Sequence, residues 1–356
     1  MLLKIKTPEE FYCDRNLISK VGEICSRYGR VAYIIAGKTA YTAVSDDLEG
    51  GFKAYHIDYS VNIMEGYPTY EKVIANSSKA YIENADFVIG IGGGKICDVA
   101  KAVANMRNIP VVMVPTVAAT CACWAARSVI YKDDGNFDQI LWNKNNPNII
   151  VADLDVLTNA PKRYLAAGIL DTLAKWYEFK PLIDSAPEDV VLRQDVAIAK
   201  LAYDIILEHG LKTYKGDATL EEFDQVIEAI FFLAGASGSF ANGKAFRGFA
   251  HSYYYASTHI PSSRHRLHGE KVAFGLLVQA ILKKDQATIE ELLDLLQQYD
   301  LNDTPYDWED ANIENTIFDI SNYIIKESPV VVEKGFVKSV EECADAIETA
   351  SNYIRA

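Results

Sequence analysis

Short apolar runs rich in β-forming residues alternate with helical stretches through the first 160 residues. The runs cover Val31–Ala36, Phe87–Ile91, Val111–Val114 and 149–152, and the last three are followed by Gly, Asp or Pro. Because a parallel sheet is covered by helices on both faces, its strands are continuous apolar runs separated by helical segments. The sequence therefore predicts an α/β fold, a parallel sheet with flanking helices, over residues 1–160.

Helical patterns replace the strand pattern from Pro161 onward. Apolar residues recur at helical spacing over 190–207, 220–233, 289–296 and 340–353. A break at Asn159-Ala160-Pro161 separates the two patterns, and Pro161 suits the first turn of a helix. We therefore predict a second, all-helical domain over residues 161–356.

Charge and cysteine usage restrict the partners. The formal net charge of −14 leaves no excess of Lys and Arg for a nucleic-acid backbone, so no nucleic-acid partner is expected. No apolar run approaches the roughly 20 residues of a membrane span, and charges come too early for a secretory signal. The six cysteines include no CxxC pair and fit reduced thiols, although Cys121 and Cys123 could instead bind a metal. We expect a cytoplasmic protein with a small-molecule partner and no membrane contact.

A glycine-rich turn joins a predicted strand to a predicted helix. Phe87–Ile91 is followed by Gly92-Gly93-Gly94-Lys95 and then by a helical pattern over 96–106. Glycines let backbone amides approach a phosphate, and a helix N-terminus favours an anion, so a pyrophosphate would bind here. A tight turn without any ligand explains the glycines equally well. Asp98 in the first helical turn could hydrogen-bond backbone amides or reach a ligand.

The next strand ends in a loop of small residues. The segment 109–114 is apolar, and the loop 115–120 follows it with Pro, Thr, Val and Ala residues. In an open α/β sheet, ligands bind in the crevice at the carboxyl ends of the strands. The domain over 1–160 is therefore predicted to bind a dinucleotide.

Several sequence blocks resemble those of a known enzyme family. They are GIGGGKxxDxAK, PVVxVPTxAxT, SVIY, NNPNxxVAD, LAAGIxDTLAKWYE and HGEKVAFGxL, in this order along most of the chain. The chain resembles the glycerol-dehydrogenase-like members of the iron-containing (type III) alcohol dehydrogenase family, including their hydroxycarboxylate dehydrogenase branch. This resemblance implies a dehydroquinate synthase-like architecture, hydride transfer to or from a nicotinamide, a divalent metal between the domains, and a homo-oligomer.

The resemblance also implies the site residues. Asp171, His251 and His268 correspond to the family's catalytic metal ligands. One carboxylate and two imidazoles leave a coordination position open for a substrate oxygen, as in catalytic zinc sites, and the ion would act as a Lewis acid. The expected cofactor-binding residues are Gly37, Lys38, Gly93, Gly94, Lys95, Asp98, Thr116, Ala125, Arg127, Val129 and Tyr131.

Several positions near the predicted metal site depart from the family pattern. Glycerol dehydrogenases bind their polyol with an Asp where this chain has Cys121, and a thiol is a poor acceptor for hydroxyl groups. Arg127 adds a cation that could bind a substrate carboxylate, which predicts a 2-hydroxy or 2-oxo acid, or could face the cofactor or solvent. Tyr254 replaces a histidine often found there. Lys175 replaces a further histidine ligand of iron-type enzymes, which favours zinc over iron.

The cofactor and the reaction class leave alternatives. Glycerol dehydrogenases carry an Asp for the adenosine ribose near the position of Lys38, so a lysine there favours NADP over NAD. A dehydroquinate synthase-like lyase would share the architecture, but it has a Glu where Asp171 stands and needs many cations for a phosphorylated substrate. A non-catalytic relative is the other alternative, which the intact Asp171, His251 and His268 disfavour.

Overall fold

The computed structural model describes residues 6–183, 188–237 and 248–356. Within these residues, strands β1–β8 are Glu10–Asp14, Val31–Ala36, Asp58–Ile63, Phe87–Ile91, Val111–Val114, Arg127–Tyr131, Phe137–Trp142 and Ile149–Asp153. Helices α1–α17 are Val21–Cys25, Lys38–Thr42, Ser45–Ala54, Tyr70–Ile82, Gly94–Arg107, Leu154–Thr158, Lys162–Ile183, Val190–Ile205, Leu211–Lys215, Leu220–Glu228, Ala234–Ala236, Phe249–Ser257, His268–Lys283, Gln286–Gln298, Ile313–Glu327, Pro329–Glu333 and Val340–Arg355.

Six of the strands form a parallel sheet in the order β1-β8-β5-β4-β2-β3. The four predicted strands are its central members, and all but the first residue of β2 are buried. The edge strands β1 and β3 were not predicted, because they are only half-buried and mix polar with apolar residues. The predicted α/β fold is therefore confirmed.

Alternate residues of the central strands supply two separate cores. In β2, Ala32 and Ile34 belong to a cluster that Leu48 and Phe52 of α3 complete on one face of the sheet. Tyr33 of the same strand belongs to the larger cluster on the other face, which continues into the helical half. This period of two residues is what a pleated strand imposes, and it joins the sheet to the helices that carry the candidate site.

Close backbone contacts position α7 and α13. A Cβ atom added at Gly168 would lie 2.0 Å from the carbonyl oxygen of Ala118, in the loop after β5. A Cβ at Gly269 would lie 1.8 Å from the carbonyl oxygen of Ala167. Both glycines are therefore required for packing, and they stand within three residues of two predicted metal ligands.

The predicted helical half is also confirmed for the described residues. The pattern over 190–207 forms α8 and continues through a π-helical turn at Ile206–Gly210 into α9. The pattern over 220–233 likewise ends in a π-helical turn, Ala229–Leu233. No helix among the described residues is both long and apolar enough to cross a membrane. The domain boundary at residue 160 stays a prediction, placed where α6 ends and α7 begins.

Candidate active site

Three helices bring the predicted metal ligands together. Asp171 lies in the middle of α7, His251 near the start of α12, and His268 is the first residue of α13. Asp171 Oδ1 lies 3.3 Å from Nε2 of His251 and 3.1 Å from Nε2 of His268. The three donor atoms lie within 4.8 Å of one another, the only such group of three or more His, Cys, Asp or Glu in the described ranges.

Glu178 fixes one of the imidazoles and was not predicted. Its Oε1 accepts a hydrogen bond from the backbone N–H of His251 at 2.9 Å, and its Oε2 lies 2.5 Å from His251 Nδ1. This contact turns the ring so that Nε2 faces Asp171, the usual support for a metal-binding histidine. A signal existed in the sequence, because Glu178 stands two helical turns after Asp171.

The ionisation of the cluster depends on its own contacts: although burial opposes it, the carboxylate of Glu178 raises the pKa of His251. Although burial opposes it, the neighbouring His268 and His251 hold the pKa of Asp171 well below its usual range. Burial lowers the pKa of His268, which favours the neutral imidazole that binds metals. A buried carboxylate and two oriented imidazoles therefore fit a divalent metal ion. Their assignment as ligands stays a prediction.

A cavity of about 890 Å³ connects this cluster to the carboxyl ends of the strands. It is lined by the three predicted ligands, by Cys121, and by nine predicted cofactor-binding residues: Gly93, Gly94, Lys95, Asp98, Thr116, Ala125, Arg127, Val129 and Tyr131. Gly37 and Lys38 do not line it, whereas the next residues, Thr39 and Ala40, do. Most of the predicted site residues thus line this cavity, although their roles stay predictions.

The glycine-rich turn forms part of this wall. Gly92 has a φ of +149°, which favours glycine, and Gly93 is the residue before α5. A Cβ at Gly93 would lie 3.0 Å from Val117, and one at Gly94 would lie 3.3 Å from Ala122, so side chains would narrow the cavity there. The N-terminus of α5 therefore meets the cavity with accessible amides, which is suitable for a phosphate.

Asp98 pairs with a buried lysine that the sequence did not single out. Lys101 Nζ lies 3.1 Å from Asp98 and donates hydrogen bonds to the carbonyl oxygens of Ala122 at 2.6 Å, Ala125 at 3.2 Å and Arg127 at 2.5 Å. The pair therefore holds the loop that leads from Cys121 into β6. Asp98 lines the cavity, but its main contact is structural.

Two cations stand beside Cys121 in the cavity wall. Burial raises the pKa of the Cys121 thiol, and Lys175 is the charge that opposes this rise most strongly, with a smaller effect from Arg127. Arg127 is half-buried, and the Lys175 side chain is buried, with the residue 7% exposed. Across the ranges that the structure describes, neither cationic group forms a hydrogen bond or ion pair.

Two tyrosines also line the cavity, Tyr131 of β6 and Tyr254 of α12. The hydroxyls of Tyr131 and Tyr254 are hydrogen-bonded to each other. The ring of Tyr254, in the position of the family's histidine, packs edge-on against His268 with ring centroids 4.1 Å apart. Tyr254 thus supports a predicted ligand.

Lys271, one turn after His268, also lines the cavity, and burial lowers its pKa to about 8.

Comparisons with known proteins agree with this architecture. The family model described as iron-containing alcohol dehydrogenase matches residues 8–154. Glycerol dehydrogenase of Escherichia coli O6:H1 is 32% identical over 295 residues, 81% of this chain and 79% of that protein. Hydroxycarboxylate dehydrogenase A of Escherichia coli K12 is 33% identical over 278 residues, which cover 76% of this chain and 75% of that protein. The structure of a probable glycerol dehydrogenase from Sinorhizobium meliloti matches with a TM-score of 0.88 and 23% identity, and the match covers 100% of this chain and 99% of that one.

The chain therefore belongs to the iron-containing alcohol dehydrogenase family, as a glycerol-dehydrogenase-like member. It is a metal-dependent oxidoreductase, a nicotinamide-linked alcohol dehydrogenase for small alcohol or acid substrates. The predictions of family and enzyme class are confirmed.

Proposed function

We propose that this enzyme interconverts a small 2-oxo acid and the corresponding 2-hydroxy acid. The observation that carries the proposal is the pair of cations beside Cys121: Arg127 and Lys175 face the cavity, and neither has a carboxylate partner among the described residues. Cys121 stands where glycerol dehydrogenases have an Asp, so the cavity lacks the carboxylate that would accept hydrogen bonds from the hydroxyl groups of a polyol. The likeness to a hydroxycarboxylate dehydrogenase supports the same substrate class.

The reaction transfers a hydride between the nicotinamide ring and the substrate carbon. In reduction, the carbonyl carbon receives two electrons and a hydrogen from NAD(P)H, the carbonyl oxygen takes a proton from solvent, and NAD(P)⁺ and the 2-hydroxy acid result. When bound by Asp171, His251 and His268, a divalent ion supplies Lewis acidity toward the substrate oxygen. No protein nucleophile is required.

Each part of the cavity has a task in this proposal. The amides of Gly93 and Gly94 bind the pyrophosphate at the start of α5. Glu178 keeps the His251 ring in its orientation. The Arg127 guanidinium binds a substrate carboxylate in a bidentate manner. The substrate is thus held at its charged end, with its carbonyl toward Asp171.

Zinc is proposed as the metal in preference to iron. The supporting observation is the set of three predicted ligands, two imidazoles and one carboxylate, with Lys175 in place of a third histidine. Metal analysis of the purified protein, followed by reconstitution of the chelated protein with zinc or ferrous iron, tests this choice. Higher turnover with iron at equal occupancy would contradict it.

NADP(H) is proposed as the preferred cofactor. Lys38, the first residue of α2, follows the carboxyl end of β2 and carries the charge that a 2′-phosphate prefers. Asp47 on α3 lines the cavity and acts in the opposite direction. Turnover with NADPH and with NADH under the same conditions shows whether the positive charge of Lys38 or the negative charge of Asp47 has the larger effect. A strong preference for NADH would overturn the proposal.

We further propose a cytoplasmic homo-oligomer, as the family resemblance implies. Light scattering of the purified protein tests the assembly, and a monomer at micromolar concentration would contradict it.

A substrate panel at fixed zinc concentration tests the proposed reaction. The panel pairs 2-oxo acids with neutral hydroxyketones of the same length and includes glycerol in the oxidative direction, with nicotinamide absorbance as the readout. We expect the acids to have the highest kcat/KM and His268→Ala to lose at least about 1000-fold, since it removes a metal ligand. Full activity of His268→Ala, or a preference for glycerol, would refute the proposal.

A further inference from the structure

Lys175 occupies an unusual position for a lysine. It lies on α7 one helical turn after Asp171, so the two side chains share one face of the helix. The residue is only 7% exposed, yet it lines the cavity. The residue is thus buried as a whole, while its ammonium group reaches the cavity.

The charge of Lys175 acts on both sides of the site. After burial, which raises the pKa of Cys121, the ammonium group is the strongest influence on that thiol, and it also favours the charged forms of Asp171 and Glu178. Nevertheless, no carboxylate oxygen among the described residues lies within 4.0 Å of it, and none of their groups accepts its hydrogen bonds. The ammonium group is therefore available to an anionic ligand that enters the cavity.

We infer that Lys175 binds the carboxylate of the substrate and gives the enzyme its selectivity for acids. This inference rests on the proposed function and deepens it, because the proposed function assigns the substrate carboxylate to Arg127 and gives Lys175 no contact of its own. Two carboxylates, Asp171 and Glu178, would balance a divalent ion, so that the charges of Lys175 and Arg127 remain without a counter-charge in this part of the wall. A substrate carboxylate offsets part of this positive charge, whereas a neutral ketone does not.

The spacing along α7 also suits a 2-oxo acid. Residues one turn apart on a helix have Cβ atoms roughly 5–6 Å apart, so Lys175 reaches the cavity next to Asp171. In a 2-oxo acid, the carboxylate is bonded directly to the carbonyl carbon. A substrate whose carbonyl points to Asp171, His251 and His268 therefore presents its carboxylate to Lys175, while Arg127 approaches from the side of β6.

The test compares Lys175→Met with the wild-type enzyme on pyruvate and on hydroxyacetone, its neutral analogue of equal length. For pyruvate we expect KM to rise and kcat/KM to fall by roughly 10- to 150-fold, the range for a hydrogen bond to a charged group. Because this contact is made in the ground state as well, kcat should change less than KM. For hydroxyacetone, kcat/KM should stay within about threefold, as hydroxyacetone has no carboxylate to lose.

A binding measurement and three further variants accompany the kinetics. Titration calorimetry with oxamate, an unreactive carboxylate analogue, should show the same loss of affinity in Lys175→Met, at equal metal content. Lys175→Arg should restore part of the preference for pyruvate, since it restores the charge. Lys180→Met removes the same charge from the exposed side of α7 and should leave both substrates unchanged. If Lys175→Met does not fold, Lys175→Gln replaces it.

The outcomes separate the inference from the proposed function. If the wild-type enzyme does not prefer pyruvate over hydroxyacetone, the proposed function fails, and the inference fails with it. If the wild type prefers pyruvate but Lys175→Met loses nothing, the inference alone is wrong. Equal losses on both substrates would also overturn it, because Lys175 would then act on the reacting oxygen.

Discussion

Two regions of the molecule turn a buried lysine toward the same cavity, and their surroundings differ. On α5, Lys101 pairs with Asp98 and donates to three backbone carbonyls of the segment that leads into β6. On α7, Lys175 is buried to a similar degree, but it has no such partners in the part of the chain that the structure describes. A cation that the protein itself neutralises holds structure together, whereas one that it leaves unneutralised is available to a ligand.

The largest expected effect tests this contrast through stability. Lys101→Met should lower the free energy of unfolding by about 3–5 kcal/mol, because it leaves Asp98 buried without its partner. Lys175→Met should change the same quantity by less than about 1 kcal/mol, since it breaks no internal pair. Denaturant unfolding of the two variants measures both effects. Equal destabilisation would break the comparison.

The next effect concerns the metal cluster. Glu178→Gln keeps the size of the side chain but removes the charge that orients His251, so metal affinity should fall by roughly 10- to 100-fold. Competition with a chromophoric chelator measures this affinity. Glu290→Gln on the exposed face of α14 is the matched control. An unchanged affinity in Glu178→Gln would show that the contact does not support metal binding.

A smaller effect is expected from a negative charge placed near the two cations. Cys121→Asp puts a carboxylate near Lys175 and Arg127, which should lower kcat/KM for pyruvate by about tenfold and raise it for glycerol. Cys121→Ser, a neutral change at the same position, should shift both values less. The substrate panel measures these ratios. A variant that keeps full activity on pyruvate would argue against a substrate carboxylate in this part of the cavity.

The smallest effect is expected at the first residue of α2. Lys38 is exposed and does not line the cavity, so Lys38→Ala should lower the ratio of NADPH to NADH turnover by only about threefold. Asp47→Asn should raise the same ratio, since Asp47 lines the cavity. A higher ratio in Lys38→Ala, or a lower ratio in Asp47→Asn, would show that other residues determine the cofactor preference.

The sequence predicted the parts that depend on local pattern. Buried central strands such as β4 are continuous apolar runs, and Asp171, His251 and His268 stand in blocks shared with a family. The edge strands β1 and β3 lack an apolar run, because only part of each is buried. They become strands through their pairing with β8 and β2, which the local sequence does not encode.

Pairwise contacts between distant segments were beyond sequence reasoning. Glu178 and His251 are 73 residues apart, and the three carbonyls bound by Lys101 follow it by more than 20 residues. In the sequence, Lys175 stands out only as the replacement of a histidine. Its place in the cavity wall and the absence of partners within the described chain indicate that its charge binds a ligand. Lys38 shows the converse, because proximity in sequence to a ligand loop did not place it in the cavity wall.

The most direct test of the account measures metal content and turnover in one preparation of Asp171→Asn. The variant keeps the size of the side chain and removes the carboxylate that lies 3.3 and 3.1 Å from the two imidazoles. We predict about one divalent ion per chain in the wild-type protein, and loss of both the ion and the oxidation of NADPH by pyruvate in the variant. A variant that retains the ion and full turnover would contradict the assignment of this cluster as the catalytic metal site.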